Sequence, residues 1–216
     1  RQDYRLLRWR WHPHKAQAFG SGEDRVFRVT HTRTHADGIT RCVWVNDDEI
    51  YIRYHDTEWG SEGRGQRELF EAICLEGFQA GLSWITILKR REGFRQAFEN
   101  FDIEKVARFD ENKIEDLMLN PGIIRNRAKI ISAINNANIV LDQELDLTSL
   151  IWSFAPKVRQ TPDEDFAWRA TSEESIALSK ALRKLGFSFV GPTTMYALMQ
   201  SSGLVHDHAP GCFRRD

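Results

Sequence analysis

From residue 66 to residue 203 the apolar side chains of this 216-residue chain recur at three- and four-residue steps, so most of the fold must come from packed helices. The first helix begins near residue 66 and sets Leu69, Phe70, Ile73, Cys74 and Gly77 on one face. Ser83 is placed as the N-cap of a helix from Trp84 to about Arg91, and Asp102 as the cap of another whose apolar side is Ile103, Val106 and Ala107. After the Asn120-Pro121-Gly122 turn a longer helix carries Ile124, Ile131, Ile134 and Val140. Arg125, Arg127 and Lys129 cluster near its start, where positive charge opposes the helix dipole. That cluster reads either as a solvated face or as a phosphate contact. Residues 155–170, with Pro156 and Pro162, lack a period and read as a surface loop. Thr171 and Glu174 match the S/T-x-x-E capping box of a helix that stops at Gly186, and Pro192 suits the first position of the next, which runs to Gly203. Brief extended segments are expected only in the 40s and 50s, with Val43, Trp44, Val45, Ile50, Tyr51 and Ile52.

Composition narrows the function classes. Hydrophobic residues make up 41% and charged residues 28%, an ordinary globular balance that fits one domain, or one domain with a tail. No apolar run approaches the roughly 20 residues a bilayer span needs, and no signal-peptide pattern begins the chain, so a soluble, cytoplasmic protein is expected. Three cysteines, Cys42, Cys74 and Cys212, are too few for a disulfide framework or a four-cysteine iron–sulfur cluster. The net charge of −1 hides an asymmetry: residues 1–40 hold 8 Lys/Arg against 4 Asp/Glu, leaving 22 against 27 in the remainder. DNA affinity in such a body has to come from a local basic face and backbone amides. Residues 1–40 show no persistent period and are set apart as an N-terminal extension, either a nucleic-acid-contacting arm or a poorly ordered or expression-derived remnant. The functional domain is then 41–216.

Three constellations carry possible chemistry. Phe189-Val190-Gly191-Pro192-Thr193-Thr194 offers a glycine ahead of a helix N-terminus, which suits one phosphate and equally a plain helix–helix turn. Cys42 with His55, and His208 with Cys212, would fill a closed tetrahedral zinc shell, with His206 as a competing ligand; the spacing is not a finger signature. The segment from Tyr51 to Gly60 is aromatic yet polar, and Trp84 lies beyond a helix that contains Glu76. Those rings are either core or a stacking pocket for a flat ring, with one carboxylate to accept hydrogen bonds from its edge.

Taken together, these segments resemble the 3-methyladenine DNA glycosylase I branch of the helix-hairpin-helix glycosylases, from about Arg41 to Cys212. The resemblance rests on Arg41-Cys42-Val43-Trp44-Val45, Tyr54-His55-Asp56-Thr57-Glu58-Trp59-Gly60, Leu69-Phe70-Glu71, Cys74-Leu75-Glu76-Gly77 and Gln79-Ala80-Gly81-Leu82-Ser83-Trp84. It continues through Gly122-Ile123-Ile124-Arg125-Asn126-Arg127, Phe187-Ser188-Phe189-Val190-Gly191-Pro192-Thr193, and Asp207-His208 with Cys212. It implies an all-α fold stapled by one structural zinc on Cys42, His55, His208 and Cys212. It further implies a base pocket of Tyr51, Tyr54, Trp59, Glu76 and Trp84, with Glu76 as the catalytic carboxylate. Leu82 would fill the gap left by a flipped nucleotide, and Gly191 and Thr193 would grip a phosphate. Ser61-Glu62-Gly63-Arg64-Gly65 departs from the Val-Pro-containing stretch usual after Glu-Trp-Gly, and residues 1–40 have no counterpart.

The implied activity is hydrolysis of 3-methyladenine from alkylated double-stranded DNA in base excision repair. No lysine lies near the hairpin glycine, so no strand-cleaving lyase activity is expected. Asp207, the acid close downstream of the hairpin helix, falls between His206 and His208 and is a poor catalytic candidate. Nothing demands a partner subunit, and a monomer is expected. The competing reading is a non-catalytic binder of alkylated DNA on the same fold.

Overall fold

The computed structural model describes residues 30–215, of which 31–215 lie in one compact unit. Residues 1–29 of the expected extension lie outside the described residues, whereas its last stretch belongs to the body. There Thr32–Thr34 (β1) pairs antiparallel with Thr40–Cys42 (β2), Thr32 opposite Cys42. The fold is thus mostly helical rather than strictly all-α. The hairpin escapes a periodicity reading because its strands are three residues each and almost wholly polar.

Ten α-helices follow among the described residues. They are Glu49–Thr57 (α1), Gln66–Gln79 (α2), Trp84–Leu88 (α3), Arg91–Ala97 (α4) and Ile103–Ala107 (α5). Glu111–Leu119 (α6), Arg127–Asp142 (α7), Leu147–Trp152 (α8), Glu173–Leu185 (α9) and Pro192–Ser201 (α10) complete the set. The 50s are therefore helix, not strand: Asp48 caps α1 by accepting from the Ile50 amide, and a capped turn overrides the β-preference of Tyr-Ile-Arg-Tyr. The helix expected over Trp84–Arg91 is shorter, and Ser83 bonds the Thr86 hydroxyl rather than a backbone amide. Asp102 caps α5 as expected, through the Lys105 amide. α7 begins at Arg127 behind its cap Asn126, so Ile124 and Arg125 stand ahead of it. The capping box of α9 is Ser172 with Ser175, one residue on from the expected Thr171 and Glu174. Gly186 ends α9 at φ 104°, where a side chain would be strained, and Pro192 occupies the first turn of α10.

α2 is the axis of the molecule. Every residue from Leu69 to Phe78 is buried, and α3, α7, α8 and α10 pack around it. A helix enclosed on all sides carries two acids, Glu71 and Glu76, into the interior with it. A second, smaller core joins the chain ends: Cys42, Val45, Tyr54, Trp59, Phe166, Ala209 and Cys212 pack with Trp44 and Tyr51. Trp84 contacts both cores. The 155–170 segment is an irregular surface loop as expected, and it is tied down: Gln160 bridges His206, and Arg215 donates to the Thr161 carbonyl and Asp163. No helix of the described residues is long and apolar enough to cross a membrane.

Candidate functional site

A cleft of about 340 Å³ opens beside α2, within the size range of small-molecule sites. Tyr54 from α1, Glu76 from α2 and Trp84 from α3 line it, together with the Ser61–Arg64 loop. Charge in the cleft is largely cancelled in pairs. Glu58 binds Arg91, Glu71 binds Arg95, Glu62 binds Arg159 and Glu68 binds Arg67. Among the described residues Glu76 is the lining acid with no ion pair. It is 4% exposed, its Oε2 is buried without a hydrogen-bond partner, and the Trp84 indole Nε1 is likewise unpartnered. Two buried polar atoms left open at one cleft, each costing about 1–3 kcal/mol when unsatisfied, mark a place shaped for a ligand. Burial pushes the Glu76 carboxyl up to about 8, with the Arg64 guanidinium opposing. Arg64 donates to the Ser201 carbonyl at 2.7 Å, which pins the unusual 61–65 loop across the cleft.

The other predicted pocket residues are placed differently. Tyr51 is half-buried against Trp44, with ring centroids 5.0 Å apart, and its phenol is pushed up to about 12 by burial and by the nearby Glu76 charge. Trp59 does not line the cleft. Its ring lies edge-on to His208 at 4.6 Å and nearly parallel to His55 at 6.3 Å. Trp44, which sequence reasoning did not single out, sits between Tyr51, His55 and Trp59 at 5.0–5.3 Å. Its position two residues after Cys42 was the available signal.

Beyond the pocket, the Gln79–Leu82 turn projects outward. Gly81 holds φ 87°, and Leu82 at the tip of the turn is 42% exposed. Lys129 is buried and donates to the Phe78 and Ala80 carbonyls at 2.8 and 2.5 Å, anchoring this turn to α7. Arg127 pairs with Glu111 and Glu115. The basic cluster therefore resolves largely into structural contacts. Across the surface, the α9–α10 connection places Phe189 at φ 57°, strained for a bulky side chain, and leaves it 39% exposed. Gly191 caps α10 without a side-chain acceptor, and Thr193 is exposed at the first turn, so amides there face outward. Asp207 accepts from Tyr196 and Gln200 at 2.6 and 2.8 Å and is held in the structure.

Cys42, His55, His208 and Cys212 are all buried, and their donor atoms lie within 4.8 Å of one another. His206 is not among them and faces Glu62. Bonds of about 2.3 Å to sulfur and about 2.0–2.1 Å to nitrogen put neighbouring donors of a tetrahedron about 3.4–3.8 Å apart. The observed separations are 3.4 Å from Cys212 Sγ to His55 Nε2, and 3.7 and 3.8 Å from His208 Nδ1 to the two sulfurs. Each imidazole also has its second nitrogen occupied: His55 Nδ1 meets Asp56 at 2.8 Å and His208 Nε2 meets the Trp59 carbonyl at 3.2 Å. Ring orientation is thereby fixed with one nitrogen aimed inward on each. These four residues fit a metal ion.

A family profile described as methyladenine glycosylase matches residues 44–215. The chain is 50% identical over 179 residues to a DNA-3-methyladenine glycosylase of Haemophilus influenzae, covering 80% of this chain and 96% of that protein. It is 49% identical to DNA-3-methyladenine glycosylase 1 of Escherichia coli, over 80% of this chain and 95% of that one. A crystal structure of 3-methyladenine DNA glycosylase I superimposes with a TM-score of 0.75 at 46% identity, covering 80% and 98% of the two chains. The Staphylococcus aureus enzyme whose 3-methyladenine recognition has been described structurally aligns with a TM-score of 0.74 at 32% identity, over 79% and 94%. With nearly the whole described body matched in sequence and in shape, the chain belongs to the methyladenine glycosylase family.

Proposed function

We propose that this protein is a DNA-3-methyladenine glycosylase of base excision repair that reads the alkylated base by its charge, through the unpaired Glu76. Methylation at N3 makes the adenine cationic, so the base leaves neutral and the glycosidic bond is weakened before any side chain acts. A strong general acid is unnecessary. The protein has instead to extract the nucleotide from the duplex, recognise it and hold it.

Tyr54 and Trp84, packed against each other with ring centroids 5.5 Å apart, form one side of the cleft, with Tyr51 and Trp59 in the core behind them. Cation–π contact with such rings contributes about 0.5–2 kcal/mol. Glu76 and the Trp84 indole N–H supply one acceptor and one donor for the base edge. A cationic base favours the ionised form of Glu76, whose proton passes to solvent, and the resulting carboxylate faces a positive ring that an unmodified adenine lacks. In the reaction the C1′–N9 bond breaks with its electron pair passing to the base; water adds to C1′ and loses a proton. Glu76 also stabilises the positive charge that builds on the sugar.

Leu82 fills the vacated stack, and Gly191 with Thr193 grips one backbone phosphate at the α10 N-terminus. Cys42, His55, His208 and Cys212 hold a structural zinc that ties the chain ends together; with four protein ligands no position is open for catalysis. The protein works as a monomer inside the cell and has no lyase step. The single observation carrying this reading is the buried, unpaired Glu76 carboxyl beside an open indole N–H in a ring-walled cleft. Incubating methylated duplex DNA with the purified protein and identifying the released base by chromatography tests it. Release of 3-methyladenine is expected; protection of the methylated DNA without release would instead support a non-catalytic binder.

A further inference from the structure

Arg41 is a cationic side chain only 2% exposed, and a guanidinium so enclosed needs its donors paired. Asp56 takes one edge, with Nε 2.9 Å from Oδ1 and Nη2 2.7 Å from Oδ2. Asp37 takes the other at 3.0 and 2.8 Å. The same Asp56 Oδ1 that faces Arg41 accepts from His55 Nδ1 at 2.8 Å. His55 Nε2 in turn points at the Cys/His cluster. Arg41 also directly precedes Cys42, a second donor of that cluster. A continuous run therefore links the turn of the β1–β2 hairpin to two of the four donors. Asp37 lies ahead of residue 44, where the family profile begins.

We infer that Asp37, Arg41 and Asp56 form a positioning chain for the metal centre, in which the N-terminal hairpin sets how tightly the ion is held. The inference rests on the metal reading above. Asp56 accepts from His55 Nδ1, which leaves Nε2 free to coordinate. Arg41 aims the Asp56 carboxylate, since its two contacts allow one orientation of that group. Asp37 balances the second edge of Arg41. The two carboxylates against one guanidinium leave a net negative charge beside a site that takes a cation.

Zinc release to a chromogenic chelator, followed on purified full-length protein, tests the chain. The wild-type protein should carry stoichiometric zinc. Asp56→Asn should release it roughly 10–100-fold faster. Asp37→Asn, which keeps a side chain of the same size and one oxygen acceptor at a half-exposed position, should accelerate release by less than about tenfold. The double variant should release no faster than Asp56→Asn alone, because both act through one chain. Asp47→Asn removes the Arg33 ion pair and the His35 contact from the same hairpin and should release zinc at the wild-type rate. The melting-temperature gap between zinc-loaded and zinc-free protein should narrow for Asp37→Asn and not for Asp47→Asn, which a merely structural ion pair would not produce. Wild-type release rates in both Asp56→Asn and Asp37→Asn, with normal circular dichroism, would overturn the inference alone. Wild-type protein that holds and takes up no zinc would overturn it together with the metal reading.

Discussion

Glu76→Gln separates two consequences of burying a carboxyl without a partner, one for stability and one for binding. Burial raises the Glu76 pKa to about 8 from a reference of 4.5, and its Oε2 has no hydrogen bond. A group whose folded value lies above its unfolded value contributes stability that is intact below the unfolded value and lost as pH climbs to the folded one. The fold is therefore weakened between pH of about 4.5 and about 8, and no further above that. At about 1.36 kcal/mol per pH unit, the loss is about 3 kcal/mol at pH 7 and about 5 kcal/mol beyond pH 8. Glutamine fills the same space without the charge but keeps a buried amide that costs about 1–3 kcal/mol, so a net gain of about 2–4 kcal/mol is expected at pH 8.5. In a body of this size each kcal/mol moves the melting temperature by roughly 2–4 °C, so Glu76→Gln should melt roughly 4–16 °C above wild type at pH 8.5. Near pH 5, where the carboxylate costs only about 1 kcal/mol, that advantage should be gone and the variant should melt level with or below wild type. Scanning calorimetry of ligand-free protein at both pH values decides the matter. A variant that melts below wild type at pH 8.5, or by the same margin at both, would refute the idea that Glu76 is an unpaired buried acid.

Binding should move the other way. Glu76→Gln should weaken free 3-methyladenine by about 1–3 kcal/mol in isothermal titration, the usual range for a hydrogen bond to a charged group; unchanged affinity would remove Glu76 from the pocket. Cys212→Ser should lower zinc content and melting temperature far more than it slows base release at a permissive temperature, because a structural ion is linked to folding; full zinc retention would exclude Cys212 as a ligand. Incubation with abasic-site DNA and borohydride should trap no covalent adduct, and a trapped adduct would show a lyase step.

Among the helices from α2 onward, α2, α3, α5, α7, α9 and α10 were legible from apolar spacing and flanking cap or turn residues, whereas the short α4, α6 and α8 were not singled out. Asp102, Gly186 and Pro192 act where local chemistry places them. α1 was misread because Tyr, Ile and Tyr favour strands, whereas a single Asp48 side chain decides the outcome. The β1–β2 hairpin left no pattern, since Thr and Arg strands bury little apolar surface; it is held by Arg41 and its two carboxylates, a contact that emerges only after folding. The four donor residues were legible through family resemblance and not through spacing, because Cys42 and Cys212 lie 170 residues apart. Trp59 and Trp44 show the limit of that route. Both are indoles near the same motifs, and only the packing tells which wall each one serves.

That packing couples the two halves of the site. Trp44 touches Tyr51 on one side and His55 on another, and Trp59 rests against both imidazoles of the donor cluster. α1 itself carries Tyr54 to the cleft, Tyr51 to Trp44 and His55 to the cluster. One turn of helix thus answers to two requirements at once: the register that aims His55 at the sulfurs also sets the Tyr54 phenol at the cleft. A metal bound to the cluster would hold His55, and with it the rotation of α1 about its axis and the contact between Tyr54 and Trp84. On the proposed reading, such an ion would shape recognition of a base it never touches. α2 supplies the opposite wall by packing alone, from a helix whose burial no metal is needed to secure.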